Sequence, residues 1–278
     1  MDGHGSPPGG APGAGGGGGL REKEVFLFGV GLGPGDPELV TVKALRVLRE
    51  VPVILCPGEL SREILERISR LPGSGLDLRA REVRVLPFPM TRDRVRLEEA
   101  HETLAREAAE ILSLRGQAAF VCQGDPGFYS TFFRFLPHLL RFLPGLRWET
   151  VPGVPSFSAA SSLLQIGLAG EGEAVWLGPC PPPGRLGEEA ERLAEISRTL
   201  VFLKARHLDP RELLSLEEAG FWWGWVSRAG LPGEEVRRAD REGGAEGFRG
   251  GDYLSLMVVR RGEGDGKGAV SRRGRVLP

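Results

Sequence analysis

Short continuous apolar runs alternate along the chain with longer segments in which apolar residues recur every three or four positions. Residues 25–30 and 118–122 are unbroken apolar runs, which are typical of strands buried on both faces of a sheet. Residues 37–50 and 97–114 have the spacing of amphipathic helices. Because such strands and helices alternate, the pattern predicts a mostly parallel α/β sheet.

The same pattern predicts the other elements up to residue 164. The strands are expected at 51–55, 81–86 and 148–151, and the helices at 61–71, 128–142 and 156–164. Asp36 suits the N-cap of the first helix and Pro37 its first position. Ser61 and Ser156 are further candidate caps. Pro137 predicts a break within the helix at 128–142.

After residue 168 the spacing of predicted strands and helices changes, which indicates a second α/β domain. Strands are expected at 175–177, 199–203, 221–226 and 253–259, and helices at 188–196 and 210–219. The sequence therefore predicts an N-terminal α/β domain at 23–151 and a C-terminal α/β domain at 152–262. The Gly-rich residues 1–22 cannot bury a core, so they and residues 263–278 are predicted to be disordered tails.

Composition and charge exclude several classes of partner. The chain has 278 residues and a formal net charge of -1, so it lacks the overall field that attracts nucleic acid or membranes. No apolar run approaches the roughly 18 residues of a membrane span, and the N-terminus lacks a secretory signal. Cys56, Cys122 and Cys180 show neither metal-ligand spacing nor a disulfide pattern. We expect a cytoplasmic protein without a metal site, a nucleic-acid partner or a membrane contact.

A Gly-rich turn, GVGLGPGDP at residues 29–37, follows the first strand. It is similar to a dinucleotide fingerprint, but Pro34 or Asp36 stands where the third glycine is needed, and no acidic residue follows at the expected distance. The carboxylate of Asp36 at a helix start also disfavours a phosphate there. NAD binding is therefore disfavoured, and a capped tight turn and a loop for another ligand remain as alternatives.

Two more loops follow predicted strands. Residues 123–130 read QGDPGFYS, and residues 151–160 read VPGVPSFSAA. Asp125 either caps the next helix or lines a crevice, and Tyr129 lies one helical turn beyond it. Ligands bind outside the carboxyl ends of parallel strands, so these loops predict one shared crevice.

Taken together, the three loops resemble the tetrapyrrole (corrin/porphyrin) methyltransferase family. The matching motifs are GLGPGDP at 31–37, GDP at 124–126 and PGV at 152–154. The resemblance covers roughly residues 25–260. Within the family it is strongest to the methylases that act at C-20 of precorrin-2 or cobalt-factor II, on the stretches FPMTRD at 88–93, GFYSTF at 127–132, SFSAA at 156–160 and YLSL at 253–256.

The resemblance implies two α/β domains with the cofactor cleft between them. It implies S-adenosyl-L-methionine as the cofactor, a reduced tetrapyrrole as the small-molecule substrate, no metal, and a homodimer. The implied cofactor contacts are Pro34, Gln123, Gly124, Asp125, Phe128, Pro155, Ser156, Lys204 and Ala229. Pro155 departs from the family pattern, which usually has Thr or Ser there.

The chemistry implied by the resemblance is methyl transfer to a nucleophilic meso carbon, which then loses a proton. Tyr129 and Asp125 are the candidate catalytic residues that accept it, with solvent or a substrate carboxylate as alternatives. Arginine suits the substrate's carboxylates. The available arginines are Arg79, Arg81, Arg84, Arg92, Arg94, Arg96, Arg134 and Arg228. Arg92 and Arg228 are the predicted substrate-binding residues, with Arg92 the first choice.

Other functions remain open from the sequence alone. One is another member of the same family, either a corrin methylase for a different ring position or a diphthine synthase-like enzyme. The other is a non-catalytic nucleotide-binding protein with a decayed site. Product mass and methyl position would distinguish the members of this family from one another. Failure to bind S-adenosyl-L-methionine would favour the non-catalytic protein.

Overall fold

The computed structural model describes residues 24–89, 91, 93–241 and 244–261. Its first sheet has five strands, β1 (Phe26–Gly31), β2 (Val53–Cys56), β3 (Glu82–Val85), β4 (Gln117–Cys122) and β5 (Arg147–Val151). Their order is β3-β2-β4-β1-β5, and every neighbouring pair is parallel. The predicted parallel sheet is confirmed.

Helices cover both faces of this sheet, which explains why its central strands read as unbroken apolar runs. The helices are α1 (Val42–Glu50), α2 (Glu59–Arg70), α3 (Arg94–Arg115) and α4 (Phe132–Phe142). Leu27 and Phe120 pack with α3 and α4 on one face. Val30 and Ile54 pack with α1 and α2 on the other.

The second sheet is mixed. Its strands are β6 (Val175–Pro179), β7 (Thr199–Leu203), β8 (Phe221–Ser227), β9 (Glu235–Arg238) and β10 (Ser255–Arg261), in the order β6-β7-β10-β8-β9. Among the described strands of this second sheet, only β6 and β7 pair in parallel, and the other neighbouring pairs are antiparallel. Its helices are α5 (Ser156–Leu164), α6 (Leu186–Ala194) and α7 (Pro210–Glu218). The predicted two-domain α/β fold is confirmed, whereas the boundary residues stay a prediction.

The first predicted helix is interrupted. Asp36 does cap a short 3-10 turn over Pro37–Leu39, with Oδ1 accepting the N–H of Glu38 at 2.9 Å. The α-helix α1 starts separately at Val42, where Thr41 Oγ1 accepts the N–H of Ala44. The prediction of one helix over 37–50 was wrong because Thr41 forms a second cap.

Helix α4 starts at Phe132, four residues later than predicted, and continues through Pro137. The late start follows from Tyr129, whose φ of 48° is left-handed and incompatible with a helix. The other two cap predictions were also wrong. Gly58 precedes α2, so Ser61 lies inside it, and Pro155 takes the cap position of α5 with Ser156 as the first helical residue.

Candidate functional site

Three strand-end loops meet where β1, β4 and β5 reach their carboxyl ends. Gly33 and Gly124 form a two-way backbone bridge between the first two loops. The N–H of Gly124 donates to the carbonyl of Gly33 at 2.7 Å, and the N–H of Gly33 returns a bond at 3.2 Å. The side-chain amide of Gln123 donates to the carbonyl of Pro34 at 3.1 Å. The first two loops are therefore fixed to each other by their main chains.

The backbones approach so closely that only glycine fits at two positions. A Cβ on Gly31 would lie 2.6 Å from the nitrogen of Gly153. A Cβ on Gly153 would lie 2.2 Å from the carbonyl oxygen of Gly124. We call Gly31, Gly124 and Gly153 the glycine junction, because it joins the three loops without side chains.

Asp125 joins the second and third loops. Its Oδ1 accepts the N–H of Gly127 at 2.7 Å, and its Oδ2 accepts the N–H of Gly153 at 2.9 Å. It does not cap α4, which starts farther along the chain. Of the two roles considered for Asp125, the structure supports the crevice.

A pocket lies above these loops and is closed on the other side by the strand ends of the second sheet. Its lining residues are Pro34, Gln123, Gly124, Asp125, Phe128, Tyr129, Pro155, Ser156, Phe157, Leu203, Lys204, Val226, Ala229, Tyr253, Leu254, Ser255 and Leu256. All the predicted cofactor contacts, and Tyr129, lie in this lining. Both domains contribute, so the pocket lies between them.

Several lining residues were missed by the sequence reasoning, among them Phe157, Tyr253 and Ser255. Phe157 packs edge-on against Phe128 with ring centroids 5.2 Å apart. Tyr253 and Ser255 lie in the YLSL stretch that carried the resemblance. Tyr253 and Ser255 could have been assigned to the site from their position at the start of the last predicted strand.

Left-handed backbone concentrates at this pocket. Tyr129 and Lys204 have φ of 48° and 60°, and Arg228, next to the lining residue Ala229, has φ of 53°. Such conformations cost free energy for residues other than glycine and cluster at functional sites. They indicate that the pocket's walls are held in defined positions.

The two predicted substrate arginines have different outcomes. Arg92 lies outside the described residues. Arg228 is not in the pocket lining, because its guanidinium donates to Asp252 at 2.6 Å and to the carbonyl of Pro232 at 2.7 Å. The Arg228 hydrogen bond holds the pKa of Asp252 below its ordinary value. Arg228 thus braces the loop beside the pocket.

None of the three cysteines lines the pocket. Burial raises the pKa of Cys56, Cys122 and Cys180 to about 12 each, so they stay protonated near neutral pH. Within the described ranges no group of three or more His, Cys, Asp or Glu could hold a metal ion. No helix there is long and apolar enough to cross a bilayer.

Contacts between the two domains fix the first loop. Arg67 of α2 donates through Nη1 to the carbonyls of Gly35 and Gly230, at 2.8 and 2.9 Å. Leu231 is 5% exposed and packs into the apolar core of the first domain. The two walls of the pocket are therefore joined by polar and apolar contacts.

A parallel α/β domain and a mixed second domain, with a pocket between their strand ends, define a two-domain ligand-binding enzyme fold. Residues 27–242 match the sequence profile of the Tetrapyrrole (Corrin/Porphyrin) Methylases. The chain belongs to this family, and the resemblance stated from the motifs is confirmed.

Individual relatives agree with this assignment. A probable cobalt-precorrin-2 C(20)-methyltransferase of Methanocaldococcus jannaschii is 29% identical over 84% of this chain and 96% of its own length. The cobalt-precorrin-2 C(20)-methyltransferase of Salmonella typhimurium is also 29% identical, with the same coverage. The uroporphyrin-III C-methyl transferase of Thermus thermophilus, solved in complex with S-adenyl homocysteine, superposes with a TM-score of 0.54 at 25% identity, over 84% of this chain and 96% of that one.

Proposed function

We propose that the protein is an S-adenosyl-L-methionine-dependent methyltransferase that methylates C-20 of precorrin-2 or cobalt-factor II in cobalamin biosynthesis. The observation that carries the proposal is the pocket between the domains, which gathers every predicted cofactor contact into one lining. The C(20)-methyltransferases among the relatives support the acceptor and the ring position.

The pocket suits the cofactor chemically. A Cβ added to Gly124 would meet only the Cα of Pro155, at 3.9 Å, so the main chain there is open to a ligand. Leu203, Val226 and Phe128 supply apolar surface for an adenosyl group. The main chain of Gln123 and Asp125 can supply hydrogen bonds, since that of Gly124 is already paired with Gly33. We assign the cofactor contacts to the residues predicted from the sequence, Pro34, Gln123, Gly124, Asp125, Phe128, Pro155, Ser156, Lys204 and Ala229.

The chain's task in the reaction is to align the reactants and exclude water. When bound, the sulfonium of the cofactor supplies an electrophilic methyl group. Tyr129 lines the pocket and is 59% exposed, so it can be reached by the proton that the methylated carbon loses. Asp125 already accepts two backbone N–H bonds. The geometry favours Tyr129 or solvent as the proton acceptor, with Asp125 positioning the loops.

We also propose a homodimer in the cytoplasm. Trp148 on the edge strand β5 is 43% exposed and packs against Phe133, which is 45% exposed, with ring centroids 5.9 Å apart. An exposed aromatic pair beside a sheet edge suits a second copy of the chain. The cytoplasmic location is supported by three cysteines that are all unpaired.

The test of the proposed function is an anaerobic incubation of the protein with S-adenosyl-L-methionine and either precorrin-2 or cobalt-factor II, followed by mass spectrometry and NMR. A gain of one methyl group at C-20 is expected on one of them. A methyl group at another position would assign a different ring-position methylase. No gain with the cofactor bound would direct the search to a protein acceptor, as in a diphthine synthase-like enzyme, and no cofactor binding would favour a non-catalytic protein.

A further inference from the structure

We propose that the side chains of Lys204 and Arg206 form a carboxylate clamp, which binds an acidic side chain of the tetrapyrrole on the second-domain side of the pocket. The inference rests on the proposed function and extends it to a substrate-binding role. Precorrin-2 and its cobalt complex carry acetate and propionate side chains, so their binding requires cations.

Lys204 is the cation of the pocket lining. It follows directly after β7, and its ammonium lies 5.1 Å from the ring centroid of Tyr253 and 6.0 Å from that of Tyr129. Tyr129 belongs to the first domain and Tyr253 to the second, and the chain contains no other tyrosine. The ammonium thus lies between the two walls of the pocket, on a residue that is exposed.

Arg206 lies outside the pocket lining but brings a second positive charge to the ring of Tyr253. Its guanidinium carbon lies 5.7 Å from the ring centroid of Tyr253, and its Nε donates to Nε2 of His207 at 2.8 Å. In the part of the chain that the structure describes, neither Lys204 nor Arg206 forms an ion pair. Two cations close to one ring repel each other, and a carboxylate bound beside them relieves that repulsion.

Two other described cations near the pocket are already occupied. Arg228 is paired with Asp252, and Arg67 donates to the carbonyls of Gly35 and Gly230. Lys204 and Arg206 differ from both, because their charge is not neutralised by a described carboxylate. This contrast selects them as the binding groups for an external carboxylate.

The carboxylate has two possible sources, the tetrapyrrole or the amino-acid end of the cofactor. The substrate is favoured because Lys204 is exposed and its ammonium lies near two tyrosine rings that a macrocycle can contact. The backbone of Lys204 can border the cofactor while its side chain reaches the substrate. The two sources predict different binding changes, so one experiment separates them.

The experiment compares Lys204→Met, Lys204→Arg and Arg206→Met with the wild type, and uses Lys43→Met as the matched control. Lys43 is an exposed lysine that pairs with Glu149 and lies outside the pocket lining. The measurements are kcat and KM for the tetrapyrrole, the Kd of S-adenosyl-L-methionine by calorimetry, and the Kd of cobalt-factor II from its absorbance change.

Lys204→Met is expected to raise KM about tenfold through the loss of one charge-assisted contact. Because that contact is remote from the reacting carbon, kcat and the cofactor Kd should stay within about twofold. Lys204→Arg should restore most of the substrate affinity. Arg206→Met should also raise KM, and Lys43→Met should leave KM, kcat and the cofactor Kd unchanged.

An unchanged KM in both Lys204→Met and Arg206→Met would overturn the clamp. An equal loss of cofactor affinity in Lys204→Met would assign the carboxylate to the cofactor and also overturn it. If the wild type transfers no methyl group, the proposed function fails by itself. The clamp is then decided by cobalt-factor II binding, where weaker binding by Lys204→Met supports it and equal or absent binding contradicts it.

Discussion

The glycine junction depends on hydrogen atoms where other residues have a side chain. Gly153→Ala would place a methyl carbon 2.2 Å from the carbonyl oxygen of Gly124, so the loops must separate. We expect a loss of about 1–3 kcal/mol of unfolding free energy and a large loss of cofactor affinity. Thermal denaturation and calorimetry measure both.

Gly145→Ala is the matched control for this change. Gly145 precedes β5, whereas Gly153 follows it, and a Cβ added to Gly145 meets nothing within 4 Å. Both glycines have backbone angles outside the left-handed region, so dihedral strain does not distinguish them. Equal stability of the two variants would show that the loops adjust freely and that the junction is not rigid.

Asp125 contributes through its two backbone hydrogen bonds. Asp125→Ala leaves the N–H groups of Gly127 and Gly153 without this acceptor, so the loops should loosen and the cofactor Kd should rise by about tenfold. Asp77→Ala removes a similar local bond, to the N–H of Arg79, at a site remote from the pocket. If both variants bind S-adenosyl-L-methionine as the wild type does, the second loop does not contribute to the site.

At the scale of elements, the buried strands β2 and β4 carry thiols at their ends. Burial raises the pKa of Cys56 and Cys122 from an ordinary 9.0 to about 12. The folded protein therefore keeps these protons between about pH 9 and pH 12, whereas the unfolded chain releases them. Stability should fall as pH rises through this window.

Alkylation at pH 8.5 with peptide mapping tests the same burial. We expect Cys180, which is only partly buried, to react first, and Cys56 and Cys122 to react only after unfolding in guanidinium chloride. Rapid labelling of Cys122 in the native protein would show that β4 opens locally.

The elements that the sequence predicted well are those fixed by burial. Strands β1 and β4 are covered on both faces, so an unbroken apolar run identifies them. Strand β9 was missed because its sequence, EVRR, is polar and lies at the edge of its sheet. The start of α4 was misplaced because a left-handed Tyr129 leaves no pattern in the sequence. The pocket loops were found through their glycine and proline motifs. Tyr253 was placed in a strand but not assigned to the site, because periodicity alone does not show which strand ends face the other domain.

At the scale of the whole molecule, one arginine joins the two walls of the pocket. Arg67→Ala removes the bonds to the carbonyls of Gly35 and Gly230, which adjoin the lining residues Pro34 and Ala229. We expect the cofactor Kd to rise by roughly three- to tenfold, because the site loses a contact that holds its two walls in position.

Arg70→Ala provides the control from the same helix. Arg70 is exposed and pairs only with Glu66 among the described residues, so its loss should leave binding unchanged. Calorimetric titration of both variants gives the comparison. An unaltered Kd in Arg67→Ala would mean that apolar contacts such as Leu231 hold the domains together without it.

The glycine junction has a consequence for how this protein can change over generations. Its shape comes from main-chain atoms, which most substitutions elsewhere leave in place. The side chains of Lys204 and Tyr253 on the opposite wall take no part in this main-chain packing. Single mutations at these positions can therefore change the acceptor that is bound, while the loops that bind the methyl donor keep their structure. A library confined to these positions is a direct way to ask how many acceptors one scaffold can serve.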